Sequence, residues 1–594
     1  MKSGLKIPDS RIGANVEEVN GGSEAQIYEF GEFRIEARQR LLSRSGETVL
    51  LTPKVFDTLL HLVRNSGKLV EKDDLIRAVW ADTIVEENSL NQNISTLRRV
   101  LGESPGENRY IVTVPGRGYR FVPSVRSRAI AVLTPPIRTL AVLPFKPLVA
   151  EHRDEVLEMG MAETLIARLS SSREMSVCPL GSVRRYGGLE QDAVAAGREL
   201  GVESVLDGSI QRDGTRIRVT VRLVRVSDST SLWVQKFDQE FTDVFDVQDT
   251  IAEKAVLALA LRLNQDERRK LTQHYTENVE AYHQYLRGRY HISKLTRPGI
   301  RKSIEFFQQA IDIDPTYGLA YAWVAEAYRR LPITSDVAPM DAFPKVKAAA
   351  LKALEIDPTL ADAHTALAFA KFWFDWDWAG AEQEIRLAID LSPNSGEVHH
   401  GYAVLLSILT RYDEAVAEGQ RAVDLDPLSL IINTNLAVFF YFAARYDEAR
   451  RQIDKTFEID PNFWVSHLVN GKLHVEKHDY PQAIDAFAKA RDFSGGNSES
   501  ISMTGYTWAL AGEHAKAENV LDELKCLSAQ RHVPANSMAV IHAALGDNDG
   551  AFDWLEKAYR ERDVRLSFLK ADPKWDLLRT DPRFGDMLRL IGLE

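Results

Sequence analysis

Polar and apolar positions along this chain fall into three successive patterns. Residues 26–123 mix short runs of period two with helical stripes. "IYEFGEFRIEA" and "ETVLLT" predict strands, and "PKVFDTLLHLVRNSG" predicts a helix with proline at its start and glycine past its end. "EKDDLIRAVW", residues 71–80, predicts a second helix. In "NSLNQNISTLRRVLG", Leu90, Ile94, Leu97 and Leu101 recur at spacings of four, three and four, which makes them the core face of a third. "RYIVTVPGRGYRFV" then predicts two strands folded about Pro115-Gly116-Arg117-Gly118, a hairpin with an arginine at its tip.

The second pattern follows a proline-bearing segment, 124–137, which predicts a linker. Residues 138–263 run strand (LAVLPF), helix (VLEMGMAETLIARL), strand (MSVCPL), helix (DAVAAGREL), strand (SVLDGSIQRDG), two alternating strands (TRIRVTVRLVRV, SLWVQKFDQEF) and helix (VQDTIAEKAVLALALRL). That order predicts a small α/β layer domain.

The third pattern repeats itself. Ala381, Ala415, Ala449, Ala483, Ala517 and Ala551 are each 34 residues apart, and Pro393, Pro427 and Pro461 follow the first three by twelve. Ser303 with Pro315 and Val346 with Pro358 hold the same register upstream. This is the tetratricopeptide period. The small residue lets two antiparallel helices cross closely, and the proline stops the second so that the next repeat can stack. About eight helix pairs are expected over 278–562, with 563–594 as a terminal cap presenting a wettable outer face.

Composition changes this picture only in places. With 45% hydrophobic and 27% charged residues the chain is an ordinary globular one, and 594 residues are too many for a single core. Cys178 and Cys526 lie far apart and outside any CxxC or ligand spacing, so neither a disulfide framework nor a zinc site is expected, and a reducing cytosol fits. Residues 1–25 hold no apolar signal core and read as a flexible N-terminus. No stretch near the linker is long enough to span a bilayer, so a cytoplasmic protein with no membrane partner is expected. A net charge of −12 argues against coating nucleic acid along the whole chain. The sign inverts locally, however, because Leu97–Arg128 holds seven arginines against only Glu103 and Glu107.

The third helix lies at the start of that basic stretch. Asn88, Gln92, Ser95 and Arg99 share its outward stripe, flanked by Thr96 and Arg98. Asn and Gln bond adenine edges bidentately, and Arg bonds guanine or phosphate, so this face has the chemistry of a major-groove reader. Two plainer readings stand beside it: a solvated polar face, and a Ser89–Gln92 capping box that turns the glutamine back on its own backbone. Trp80, Tyr119 and Phe121 read as core and wing-root packing.

Elsewhere the plainer reading prevails. "VLDGSIQRDG" lacks the G-x-x-x-x-G-K-[ST] of a phosphate loop and precedes a strand, so it reads as a turn. His474 and His478 are spaced to share a metal but have no recognisable third ligand, and they read as structural. Asp312/Asp314 and Asp424/Asp426 fall at repeat ends as cap and turn residues. Tyr402, Trp464, Tyr506 and Trp508 read mainly as packing. "WFDWDWAG", residues 373–380, is dense enough in aromatics to raise an exposed ligand-contacting patch as an alternative.

Together, "FGEFRIEARQRLLSRSGETVLLTPKVFDTLLHLVRNSGKLVEKDDLIRAVW", "NSLNQNISTLRRVLG" and "YIVTVPGRGYRF" resemble the OmpR/PhoB-type winged-helix DNA-binding domain. The likeness covers 26–123 and is carried by Leu51-Thr52, Asn65-x-Gly67, Val79-Trp80, Leu97-Arg98-Arg99 and Gly116-x-Gly118-Tyr119. It implies a third helix in the major groove and a wing in the adjacent minor groove. Asn88, Gln92, Asn93, Ser95 and Thr96 are then the base-facing residues, Arg98 and Arg99 face phosphate, and Arg117 is the wing contact. Ser95 and Thr96 stand where such domains often carry basic residues, which implies weaker phosphate anchoring. The 25 residues before the domain leave no room for a phosphoacceptor receiver, so the input is expected through the C-terminal two-thirds.

Residues 138–263 resemble the TolB amino-terminal-like domain through "LAVLPF", "GMAETLIARLS", "GRELGVESVLDGSIQRDGTRIRVTVRLV" and "LWVQKFDQEFTDVFDVQDTIA". That likeness implies no catalysis. The expected architecture is multidomain: an α+β winged helix, a small α/β domain and an all-α tetratricopeptide superhelix. The expected function is sequence-specific binding of double-stranded DNA in transcriptional regulation, with a protein or peptide partner received by the repeats and a homodimer as one possible assembly. No catalytic residue, metal or cofactor is expected. The alternatives are a scaffold that uses the winged helix and repeats for protein contacts alone, and an enzyme of cyclase-like association, against which stands the want of a nucleophile, metal or nucleotide constellation.

Overall fold

The computed structural model of the chain describes residues 25–37, 40–44, 47–49, 51–80, 87–104, 106–130, 137–147, 153–170, 175–188, 192–240, 244–259, 274–292, 296–334 and 337–594. They form two units, Met1–Pro135 and Pro136–Glu594. The flexible segment expected over 1–25 lies outside the described residues except for Ala25.

In the first unit, β1 (Ala25–Phe30), β2 (Phe33–Glu36), β3 (Leu41–Arg44) and β4 (Glu47–Val49) make an antiparallel meander. Three helices follow: α1 (Pro53–Arg64), α2 (Lys72–Val79) and α3 (Glu87–Val100). A second sheet has the order β5-β7-β6, from Leu69–Glu71, Gly118–Phe121 and Ile111–Val114. The core is closed by aromatic edges, with Phe30 against Phe121 at 5.0 Å between ring centroids and Phe33 against Tyr110 at 5.8 Å. Part of the expected linker is structured. β8 (Arg126–Ile130) pairs antiparallel with β1 along the edge left open by the meander. Its sequence, RSRAI, has no apolar alternation to announce a strand.

The second unit begins with a six-stranded mixed sheet. β9 (Thr139–Val142) lies between β11 (Ser176–Val177) and β12 (Ser204–Asp213), parallel to both. β13 (Arg216–Arg225) and β14 (Ser231–Glu240) continue antiparallel, and β10 (Lys146–Pro147) pairs with β12. Helices α4 (Glu155–Leu169), α5 (Leu180–Val183), α6 (Ala193–Glu199) and α7 (Val244–Ala258) complete the layer. The sheet domain is joined tightly to the repeats. A Cβ on Gly160 of α4 would stand 2.3 Å from Leu286 of the first repeat helix, so only glycine permits that approach.

Eight helix pairs follow among the described residues, from Val279–Ile292 with Arg297–Ile313 to Asn536–Ala544 with Asn548–Arg560. Ser303, Val346, Ala381, Ala415, Ala449, Ala483, Ala517 and Ala551 are all fully buried, as the close crossing of paired helices requires.

The tail does not simply cap the last repeat. Residues 563–594 fold back into the repeats as two tight turns, Val564–Phe568 and Pro573–Leu578, and a helix, Pro582–Leu590. Leu566, Leu569, Trp575 and Leu578 are fully buried. Phe568 packs 5.9 Å from Phe442, and Ala571 joins Ala437, Tyr441, Val469 and Leu473, which lie on the first helices of the fifth and sixth pairs. A buried charge network, Arg565–Glu499 at 3.1 Å, Lys472–Glu499 at 3.3 Å and Lys574–Asp572 at 3.1 Å, holds it there.

The same fold-back covers the aromatic turn at 373–380. Trp376 adopts a left-handed backbone (φ 57°) and stacks on Tyr559 at 5.1 Å, with the Arg562 guanidinium over the Trp376 ring at 4.2 Å from its centroid. Trp378 Nε1 donates to the Ile591 carbonyl at 2.8 Å. These aromatics close the coil of repeats on itself instead of offering an exposed patch. Among the described residues, no helix is long and apolar enough to cross a membrane.

Candidate nucleic-acid interface

The faces of α3 separate as its stripe requires. Leu90, Ile94, Leu97 and Leu101 are buried against α1 and α2, while Gln92, Ser95 and Arg99 are exposed. Thr96 is half-buried at the margin. Asn88 lies in the first turn, and its side chain falls outside the described residues.

Two of the expected contact residues make hydrogen bonds within the unit. Asn93 is half-buried, and its Nδ2 donates to Thr58 Oγ1 of α1 at 3.0 Å, while Thr58 donates to the Lys54 carbonyl at 2.7 Å. Arg98 turns toward the wing. Its Nη2 donates to the Ile111 carbonyl and to Thr113 Oγ1, both at 2.8 Å. Beneath it the buried Glu103 accepts from the Tyr110 amide at 2.6 Å and the Ile111 amide at 3.3 Å. A third link joins the same elements: the Tyr119 hydroxyl donates to Asn91 Oδ1 at 2.7 Å. Helix and wing are therefore locked to each other by polar contacts, and Arg98 belongs to the lock.

The wing owes its shape to two glycines. Gly116 takes a positive φ of 71° in the turn, where the Arg117 amide donates to the Val114 carbonyl at 3.0 Å. Gly118 lies against β5, and a Cβ there would stand 2.0 Å from the Val70 carbonyl oxygen. Arg117, between them, is fully displayed. Arg120 points outward two residues after Gly118, between the buried Tyr119 and Phe121.

The electrostatic result is selective. Arg34, Arg40 and Arg44 of the first unit are paired with Glu36, Asp57 and Glu32. Arg99, Arg117 and Arg120 make no side-chain ion pair or hydrogen bond among the described residues, so three guanidinium groups of α3 and the wing face solvent uncompensated. Arg120 and the Asn91–Tyr119 link were not among the residues singled out from the sequence. The alternation of β7 points to Arg120, while the Asn91 link depends on how the wing docks.

Outside this unit, the two spaced histidines have separate partners. His474 faces Asp479 at 3.3 Å, and His478 Nδ1 lies 3.1 Å from the Tyr480 hydroxyl.

Residues 46–121 match the family described as "Transcriptional regulatory protein, C terminal", and residues 137–254 match "HilA/YgeH-like transcriptional regulator, second domain". Transcriptional regulator HilA of Salmonella typhi is 28% identical over 339 residues, which are 56% of this chain and 58% of the relative. The chain thus spans little more than half the length of that relative. A putative adenylate cyclase 3 of Rhizobium meliloti is 26% identical over 240 residues, 40% of each chain. The DNA-binding domain of Klebsiella pneumoniae RstA, solved in complex with the RstA box, is 29% identical, covering 16% of this chain and 98% of that one with a TM-score of 0.16. The motifs, the locked helix and wing, and the first of these matches place residues 46–121 in the OmpR/PhoB type of winged-helix domain.

Proposed function

We propose that the first unit binds double-stranded DNA and that the protein is a sequence-specific transcriptional regulator of the cytoplasm. One observation carries the reading: the outer face of α3 and the wing present hydrogen-bonding side chains and three arginines uncompensated among the described residues, while Arg34, Arg40 and Arg44 are neutralised within the fold. Gln92, Ser95 and Arg99 face base edges and nearby phosphates in the major groove, with Asn88 and Thr96 at the margins. Arg117 and Arg120 reach the backbone and minor groove beside it. Asn93 and Arg98 act one step back, setting the pose of α3 on α1 and of the wing on α3. The description of the matched family and of the HilA relatives as transcriptional regulators supports this assignment.

In this reading the second unit carries no catalytic step and receives the signal, a protein or peptide partner being one source, and a homodimer is the DNA-bound form. Half-site spacing in the bound sequences reports the dimer. The test is enrichment of duplexes from a random pool by the full-length protein, followed by titration at several salt concentrations. Affinity is expected to fall steeply with salt. Arg99→Ala and Arg117→Ala should each weaken binding, and a protein whose affinity survives both changes is not the regulator described here.

A further inference from the structure

Inside the second unit, a cavity of about 400 Å³ is walled on one side by α4 and α7 of the sheet domain and on the other by the early repeats. Its size suits a small molecule. Four carboxylates line it: Glu163, Asp362, Glu397 and Asp426. The cations that share the lining are already engaged, Arg289 with Glu163, Arg168 with Asp249, and Arg330 with Glu326 and Glu397. Asp426 accepts from Ser182 Oγ at 2.5 Å.

Asp362 differs from the others. Among the described residues it has no cation within ion-pair distance, and it is reached by solvent at the cavity. Desolvation by the protein mass around the cavity raises its carboxyl above the usual range; Arg289 opposes the shift, and Glu326 and Glu397 add to it.

A second group points the same way independently. Gln248 lines the cavity with its side chain 1% exposed. Its Nε2 donates to the Tyr282 hydroxyl at 2.7 Å, and its Oε1 is left without a hydrogen-bond partner among the described residues. Buried acceptors of this kind are ordinarily satisfied. Tyr275, Tyr285, Tyr317 and Trp323 supply aromatic walls.

We propose that this cavity binds a small organic cation, an amine or guanidine whose N–H groups bond Asp362 and Gln248 while its apolar body lies against the aromatic walls. Such an occupant touches the sheet domain and the repeats together, so its arrival would tie the two. The inference is independent of the DNA-binding reading, since occupancy is measured without DNA.

The experiment titrates tyramine, agmatine and phenethylamine into the full-length protein by calorimetry and tryptophan fluorescence, with 3-(4-hydroxyphenyl)propionate as the anionic counterpart. At least one amine should bind at or below about 1 mM and raise the melting temperature, and the anion should do neither. Asp362→Asn should weaken the amine about ten-fold or more and Gln248→Met should weaken it less, while Asp341→Asn, on an exposed helix face, should not. Because Asp362 has no ion-pair partner to lose, its asparagine variant should melt no lower than the parent without ligand, which separates lost binding from lost structure. Absence of binding by all three amines, equal binding of the anion, or indifference to Asp362→Asn overturns the proposal. So does binding of a lysine-containing pentapeptide with none of the free amines, which would assign the cation to a protein side chain.

Discussion

The outer face of α3 and the inner face of the later repeats are both helix faces that could receive a partner, one polar and basic and the other aromatic and apolar, yet they meet opposite fates. α3 keeps Gln92, Ser95 and Arg99 in solvent, whereas Tyr441, Phe442, Val469 and Leu473 are covered by the chain's own tail. The difference is one of partners within the fold. The aromatic turn at 373–380 found Tyr559, Arg562 and Ile591, and Arg98 found Ile111 and Thr113, but among the described residues Arg99, Arg117 and Arg120 found nothing to offset their charge. Density of aromatics or cations is thus a poor guide to a binding face, and uncompensated charge on a rigid support is a better one.

The contrast can be attacked at its strongest point first. Trp575→Ala removes the largest fully buried side chain of the tail and should cost the second unit about 3–5 kcal/mol. A calorimetric melt should show that loss in the C-terminal transition alone. A change below about 1 kcal/mol would mean that the tail is not part of the repeat core.

The next effect is on acidity. Burial pushes Asp426 from its ordinary 3.8 up to about 6, against the Ser182 hydrogen bond that favours its charged form. A carboxyl raised in the folded state binds its proton more tightly there than in the unfolded chain. Its contribution to stability is therefore fully present below about pH 4 and is lost as pH rises through about 6, a swing of about 3 kcal/mol. Melting temperatures at pH 5 and pH 8 should show this, and Asp426→Asn, which keeps an acceptor for Ser182, should flatten the dependence. An unaltered profile in that variant would locate the titration elsewhere.

On the open surface the effects are on binding and leave stability alone. Arg99→Ala and Arg117→Ala should each cost about 1–3 kcal/mol of DNA affinity with the melting temperature unchanged. Where the lost contact is to phosphate, the slope of log affinity against log salt should fall by about one. The smallest effects belong to the lock. Asn93→Ala and Arg98→Ala should each remove about 1 kcal/mol of stability from the first unit, through lost hydrogen bonds, and affect affinity less than Arg99→Ala does. If Arg98→Ala instead matches Arg99→Ala in affinity loss at full stability, Arg98 is a direct contact and the lock is incidental.

Much of this was legible before any coordinates. The apolar stripe of α3, the wing hairpin, the succession of the main strands and helices along the sheet domain and the eight repeat pairs all follow from local periodicity, because each is dictated by which side of an element must be buried. Gly116 and Gly118 announced a special turn, although the reason for Gly118, the Val70 carbonyl, is a contact between strands far apart in the chain. β8 was read as linker because RSRAI carries no apolar alternation, and its strand form comes from pairing with β1, about a hundred residues away in the chain. The hydrogen bonds of Asn93 to Thr58 and of Arg98 to Ile111 and Thr113 were not legible, because periodicity gives the direction of a side chain only to within about a quarter-turn, and a long or amide side chain can still bond a neighbour.

By itself, then, the sequence determined the kind of most elements, their buried sides and the repeat register, since these depend on the alternation of apolar and polar residues over a few turns. Tertiary structure alone decided where the tail goes, which arginines are neutralised, and that Asp362 and Gln248 meet in one cavity. Those outcomes depend on pairs separated by tens to hundreds of residues, and electrostatic compensation acts through distance in space, which no local pattern records.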